Sequence, residues 1–301
     1  MDFRQLTYIM TVAECQSITK AAKELYISQP SLSHFISKTE EEMGTKIFDR
    51  TTHPLMLTYA GEKYVETAKQ ILQLNANLKK EFRDIENCKT GRIVVGIPPE
   101  RAGYMLPIAV SEFKKKYPEI QIKTVEAKTE NLEEYLLKGQ VDFIILPENV
   151  SNDMLIDTEV IYQEEIVVAA GDGLLNSTHC KDGYANVIDM EKVKEQPFIL
   201  LRKGHGIRRK CDSIFNKYNI QPNIVFETAS NFTALRLSAF GMGITIVPKM
   251  SIDMLRGALR INTYSLDKNP IMWQVIVAYR KGVYLDKAEK SFIDILKQNF
   301  N

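Results

Sequence analysis

Ser17 and Ser28 each stand at the head of a short segment with helical apolar spacing, and this pairing constrains the fold more than any other feature of the chain. A serine at such a position caps a helix by accepting a backbone N–H of the first turn. After Ser17, the residues Ile18, Ala21, Ala22 and Leu25 form a narrow stripe whose small side chains admit a second helix at close range. After Ser28, Gln29-Pro30 opens a further helix, where the missing proline N–H costs nothing, and Leu32, Phe35, Ile36 and Met43 form its buried side. Phe3, Leu6, Ile9, Met10 and Ala13 give an earlier amphipathic helix ending before Ser17. Two short capped helices joined through Tyr26-Ile27 read as a helix-turn-helix, whose second helix enters the DNA major groove by its N-terminal residues. The DNA-facing candidates are Ser28, Gln29, Pro30, Ser31, Ser33 and His34, with Lys38 one turn further on. Glutamine pairs bidentately with adenine, hydroxyls reach bases or phosphates, and a helix N-terminus attracts phosphate.

Beyond Gly44, Lys46–Arg50 and Leu55–Thr58 read as two strands around Thr51-Thr52-His53-Pro54, a wing whose tip would lie by the minor groove. Arg50 and His53 are its candidate cations. The run Ser17-Ile18-Thr19-Lys20-Ala21-Ala22-Lys23-Glu24-Leu25-Tyr26-Ile27-Ser28-Gln29-Pro30-Ser31-Leu32-Ser33, followed by Glu40, Gly44, Phe48, Arg50 and Leu57-Thr58-Tyr59-Ala60-Gly61, resembles the LysR-type transcriptional regulators. The resemblance implies a ligand-responsive regulator that forms dimers, pairs them into tetramers and works with RNA polymerase. It also implies that His34 and His53 stand where relatives often carry arginine. Histidine is a conditional cation, so DNA affinity is expected to rise as pH falls toward ~6. Charge would not have suggested DNA: the net charge is +1, and residues 1–59 carry slightly more Asp and Glu than Lys and Arg, so the usual basic footprint is missing.

From Thr58, a candidate N-cap, to Cys88 the chain reads as one helix, and Tyr64, Ala68, Ile71, Asn75, Leu78, Phe82 and Ile85 alternate spacings of four and three. That is a coiled-coil seam, with Asn75 at an a position where a buried amide selects register. The alternative is one helix packed on its own domain. A dimer would present two recognition helices about 34 Å apart, or a multiple of that.

Cys88-Lys89-Thr90-Gly91 breaks the helix, and apolar strands then alternate with amphipathic helices as in a doubly wound parallel sheet. The expected fold is α+β overall. It comprises an all-α winged helix-turn-helix (1–58), a linker helix (59–88), and a two-lobed α/β periplasmic-binding-protein-like effector domain (91–301). One lobe takes about 91–163 and 266–301, the other about 164–265. Ligands of such sheets sit beyond the strand carboxyl ends. This points to Pro99, Glu100 and Arg101, to Lys128 and Thr129, to Leu201 and Arg202, and to Ser230, Asn231 and Phe232. Thr129 and Ser230 read equally well as helix N-caps. By resemblance, Glu100 stands where relatives often hold an effector carboxylate with serine or threonine. Either Arg101, Lys128 or Arg202 neutralises it, or the effector is neutral or cationic, or the site has lost its small molecule. A small polar metabolite is the expected effector. Arg208-Arg209-Lys210 reads as a solvated helix face, and Gly241-Met242-Gly243 as a tight turn rather than a dinucleotide fingerprint.

At 301 residues with 45% hydrophobic and 26% charged residues, the chain has the makings of at least two globular cores. It opens without an apolar stretch of signal-peptide or membrane-span length, so a cytoplasmic protein without membrane contact is expected, and a solute-binding protein is disfavoured. Cys15, Cys88, Cys180 and Cys211 lie too far apart for a zinc motif and read as buried or inert thiols. The four histidines make no H-E-x-x-H spacing and no G-x-S-x-G occurs. The S-x-x-K matches at Ser17–Lys20 and Ser111–Lys114 fall on a cap and on an amphipathic helix. Neither an enzyme nor a cofactor or metal is expected. The expected function is a DNA-binding regulator modulated by a small molecule; the alternative is an architectural DNA binder indifferent to ligands.

Overall fold

The computed structural model describes residues 2–85, 90–147, 150, 154–255, 257 and 259–300, the side chains of Arg83 and Ile85 excepted. These form two units, residues 1–87 and 88–301. The first contains α1 (Phe3–Cys15), α2 (Ile18–Glu24), α3 (Gln29–Met43), β1 (Phe48–Asp49), β2 (Met56–Leu57) and α4 (Tyr59–Ile85). Ser17 accepts the Lys20 N–H at 3.4 Å and Ser28 the Ser31 N–H at 3.3 Å, so both caps stand. A third cap was not foreseen: Asp2 accepts the Gln5 N–H at 2.7 Å while the Gln5 side chain accepts the Asp2 N–H at 2.8 Å. Ala21 and Ala22 are buried, and with Ile9, Val12, Leu32, Ile36, Ile47 and Phe48 they form the core. Met43, expected inside, is exposed because it falls in the last turn before Gly44, whose φ of +67° ends α3.

The wing strands pair antiparallel over two residues each, shorter than the sequence suggested. Thr58 accepts the Gly61 N–H at 3.0 Å and donates to the Lys46 carbonyl at 2.6 Å, tying the start of α4 to the wing. A Cβ on Gly61 would lie 2.0 Å from the Ile47 carbonyl oxygen, so only glycine permits this approach.

The seam expectation divides along α4. Tyr64 joins the core of its own unit, and Ala68 is buried on a helix that packs against α1. A spacing of four and three marks an apolar face without saying what covers it, and for these two residues it is the chain's own N-terminal unit. Further along, Ile71 and Asn75 are half-buried, whereas Leu78 and Phe82 are exposed together with Leu74. The Ile85 side chain and Cys88 lie outside the described residues.

The second unit runs β3 (Gly91–Ile97), α5 (Pro99–Lys116), β4 (Ile120–Glu126), α6 (Thr129–Leu137), β5 (Phe143–Pro147), β6 (Ile156–Gly171), β7 (Pro197–Leu201), α7 (Gly206–Lys217), β8 (Asn223–Thr228), α8 (Asn231–Ala239), β9 (Ile244–Pro248), α9 (Lys249–Asp253), β10 (Ile261–Ser265), β11 (Met272–Arg280) and α10 (Lys287–Phe300). The strands follow the order β4-β3-β5-β11-β6-β9-β7-β8, with β10 also on β6. The sheet is mixed, not parallel throughout: β11 is antiparallel to β5 and β6, as β9 and β10 are to β6. The outward crossing between lobes is a 16-residue strand, β6, whose first part pairs with β11 and whose last part pairs with β9 and β10; the chain returns between β10 and β11. Continuous apolar runs mark buried strands but carry no record of direction. Each lobe has its own core, one around Val95, Phe113, Phe143 and Phe292, the other around Ile166, Phe198, Phe215 and Ile244. Among the described residues no helix is long and apolar enough to cross a membrane.

Candidate functional site

On α3, burial of Leu32 and Ile36 leaves Gln29, Pro30, Ser31, His34 and Lys38 exposed and Ser33 half-buried. Ser28 is engaged as a cap, its Oγ 2.7 Å from that of Ser31. His53 is exposed in the wing turn. Arg50, expected to reach DNA, donates to Ser37 at 3.0 Å and to Glu40 at 3.3 Å, which makes it first a brace between α3 and the wing. Glu40 is the residue that sequence reasoning undervalued. Its buried carboxylate accepts the N–H groups of Ile47 (2.9 Å) and Phe48 (3.2 Å) and the Lys46 ammonium (3.2 Å). Burial works to raise its pKa, but the Phe48 and Ile47 N–H groups and Lys46 hold it below the usual carboxylate range. The signal was present, since Glu40 belongs to the motif, but not its partners.

In the second unit, a cavity of about 440 Å³ opens where strands end. Pro98 follows β3, Ala127 follows β4, Pro147 ends β5, Leu201 ends β7, Ala229 follows β8 and Pro248 ends β9, and all line it. The helices leaving those ends bring their N-termini to the same space: Pro99 and Glu100 of α5, Thr129 of α6, Gly206 and Ile207 of α7, Asn231 of α8. Backbone N–H groups without intrahelical partners are thereby concentrated there. Of the residues expected from sequence, the cavity gathers Pro99, Glu100, Arg101, Lys128, Thr129, Leu201 and Asn231. Arg202 and Phe232 are exposed outside the lining, Phe232 beneath Arg236, and Ser230 acts as the α8 cap. Thr129 is not a cap; Lys128 holds that position without a side-chain bond. Tyr104, His205, Ile207 and Trp273 also line the cavity and were not anticipated, although Trp273 is the sole tryptophan and Tyr104 follows Arg101 by one helical turn.

Arg101 is buried, and its guanidinium is committed to neighbouring side chains. It donates to Glu164 and Tyr104, both at 2.5 Å, and to Tyr162 at 2.9 Å, and its guanidinium lies 5.2 Å from the Trp273 ring. Burial alone would lower its pKa; Tyr104, Glu164 and Tyr162 more than offset this and keep it charged. It therefore does not neutralise Glu100. The Glu100 carboxylate, from α5, accepts the Asn231 N–H at the start of α8 at 3.0 Å. Burial raises its pKa, although the Asn231 N–H and the neighbouring Ser230 work to lower it. Arg208, expected on a solvated face, is buried and binds Glu227, Asp212 and the Leu201 carbonyl.

Cys180 and Cys211 are buried, and burial pushes the Cys211 thiol to about 12. Burial and Glu24 push Cys15 to about 11, so neither has thiolate character at neutral pH. Among the described residues no group of three His, Cys, Asp or Glu side chains is placed to hold a metal ion.

A winged helix-turn-helix joined to a two-lobed α/β unit, with a cavity at its strand ends, defines a DNA-binding regulator that senses a small molecule. Residues 3–62 match the family model "Bacterial regulatory helix-turn-helix protein, lysR family", and residues 87–301 match "LysR substrate binding domain". The chain belongs to the LysR family of transcriptional regulators and is an effector-modulated DNA-binding regulator. It is 29% identical over 307 residues to the HTH-type transcriptional regulator BsdA of Bacillus subtilis (strain 168), covering 98% of this chain and 100% of that one. It is 27% identical over 317 residues to the uncharacterized regulator YcgK of the same organism, covering 100% and 97%. A full-length OxyR variant from Pseudomonas aeruginosa shares the fold, with a TM-score of 0.70 at 23% identity over 99% of this chain and 95% of that one.

Proposed function

We propose that Gln29, Ser31, Ser33 and His34 read base edges in the major groove, with Ser28, Lys38 and the wing residues Arg50 and His53 positioning the duplex. Two chains pair through the exposed part of α4, along Ile71, Leu74, Leu78 and Phe82, with Asn75 setting register, and dimers assemble into tetramers. The regulator acts in the cytoplasm and touches RNA polymerase at its promoters. A small polar metabolite enters the cavity and favours one arrangement of the two lobes, which alters the spacing of the DNA-reading heads. Such coupling requires different affinities for the two arrangements. The observation that carries this reading is the cavity itself, lined from both lobes and fed by four helix N-termini.

Trp273 supplies the assay. As the only tryptophan, and one that lines the cavity, it reports occupancy through its emission. A compound that changes Trp273 emission at saturation is expected to change the mobility of complexes on DNA fragments with circularly permuted sites. Unchanged mobility with such a compound overturns the coupling. A ligand-independent architectural binder would show no emission change with any metabolite.

A further inference from the structure

The cavity's own side chains decide what charge it accepts. Its buried cation, Arg101, is occupied by Glu164, Tyr104, Tyr162 and the Trp273 face. Acceptors are in excess even there, since Glu164 Oε2 is buried without a hydrogen-bond partner. Lys128 is exposed, and burial together with Lys128 and Arg202 favours the neutral form of His205. The N-termini of α6 and α7 lack side-chain caps, but Glu130 of the first α6 turn already lies there, 3.1 Å from Arg209 of α7. At α8 the anion position is filled by the chain itself: Glu100 accepts the Asn231 N–H at 3.0 Å. Beside it Asn231, only 7% exposed, has its Oδ1 without a partner. A ligand carboxylate would meet Glu100 where it needs donors, whereas a donor-rich cation would meet two acceptors at once.

We propose that the cavity takes a small amine, whose ammonium or amidinium group donates to Glu100 and Asn231 Oδ1 while an apolar body rests on Tyr104, Ile207 and Trp273. This rests on the cavity being the effector site. The Trp273 Nε1–H, also buried without a partner, suits a hydroxyl, ether or carbonyl on the same molecule.

The test titrates the full chain with matched pairs and reads Trp273 emission: cyclohexylmethylamine against cyclohexanecarboxylate, butylamine against butyrate, putrescine against succinate. The amines are expected to change the emission and the carboxylates to leave it unaltered. Glu100→Gln should weaken amine binding by about tenfold or more, as expected for loss of a charge-assisted hydrogen bond. Glu100→Ala should abolish the amine response and admit a carboxylate at the vacated α8 N-terminus, a gain that a misfolded chain cannot produce. A carboxylate response in the unaltered chain, or equal amine binding by Glu100→Gln, overturns the ligand class but leaves the cavity standing as a binding site. If neither series moves Trp273, the cavity reading falls and this inference with it.

Discussion

Replacing Glu40 by alanine would strand the N–H groups of Ile47 and Phe48, which sit in nearly inaccessible residues at 1% and 2% exposure. Hydrogen bonds to a charged group contribute about 1.5–3 kcal/mol each, so the two backbone bonds account for roughly 3–6 kcal/mol. The ion pairs with Lys46 and Arg50 add little, because those cations are 70% and 42% exposed and such pairs are worth about 0–1 kcal/mol. For a unit of this size each kcal/mol moves Tm by roughly 4–8 °C, so the helix-turn-helix unit should melt at least about 12 °C earlier. Calorimetry of the full chain measures this, and Trp273 emission, which belongs to the other unit, should keep its own midpoint. The effect carries a pH signature. The folded-state pKa of Glu40 is depressed, so its stabilisation is fully present above the ordinary carboxylate range and is lost as pH falls through the folded value. Glu40→Gln should accordingly be less stable than the unaltered chain at pH ~7, and the gap should close below pH ~4. A loss under about 1 kcal/mol in Glu40→Ala would mean that the wing N–H groups find other acceptors, and would refute the brace.

In the effector unit, Arg101→Leu leaves Glu164 buried without its ion-pair partner, which should cost about 3–5 kcal/mol in a Trp273-monitored melt, while Arg101→Leu with Glu164→Leu should recover most of it. Gly61→Ala forces a methyl against the Ile47 carbonyl and should destabilise the DNA-reading unit by about 1–3 kcal/mol, seen as a lower calorimetric midpoint. Lys38→Ala should reduce the slope of log affinity against log salt by about 0.9, equally on specific and unrelated DNA, in a salt titration. Phe82→Glu, on the exposed part of α4, should shift sedimentation from dimer toward monomer without lowering the melting of either unit.

The sequence by itself determined the elements and the DNA-reading module, because its signals act within a turn or two of chain. Ser17 and Ser28 cap where they stand, Ala21-Ala22 admits a neighbour, Gly44 stops α3, and Pro98-Pro99 marks a strand end. Tertiary structure decided what periodicity and charge leave open. It turned Tyr64 and Ala68 toward their own unit, ran β11 against β5, and made Arg50 a brace. Above all it chose partners for the titratable groups. Arg101 and Glu164 are 63 positions apart, and Glu100 and Asn231 are 131 apart. A charge in a sequence has no dielectric and no neighbour until the fold supplies both, so the cavity's chemistry became readable only once those residues met.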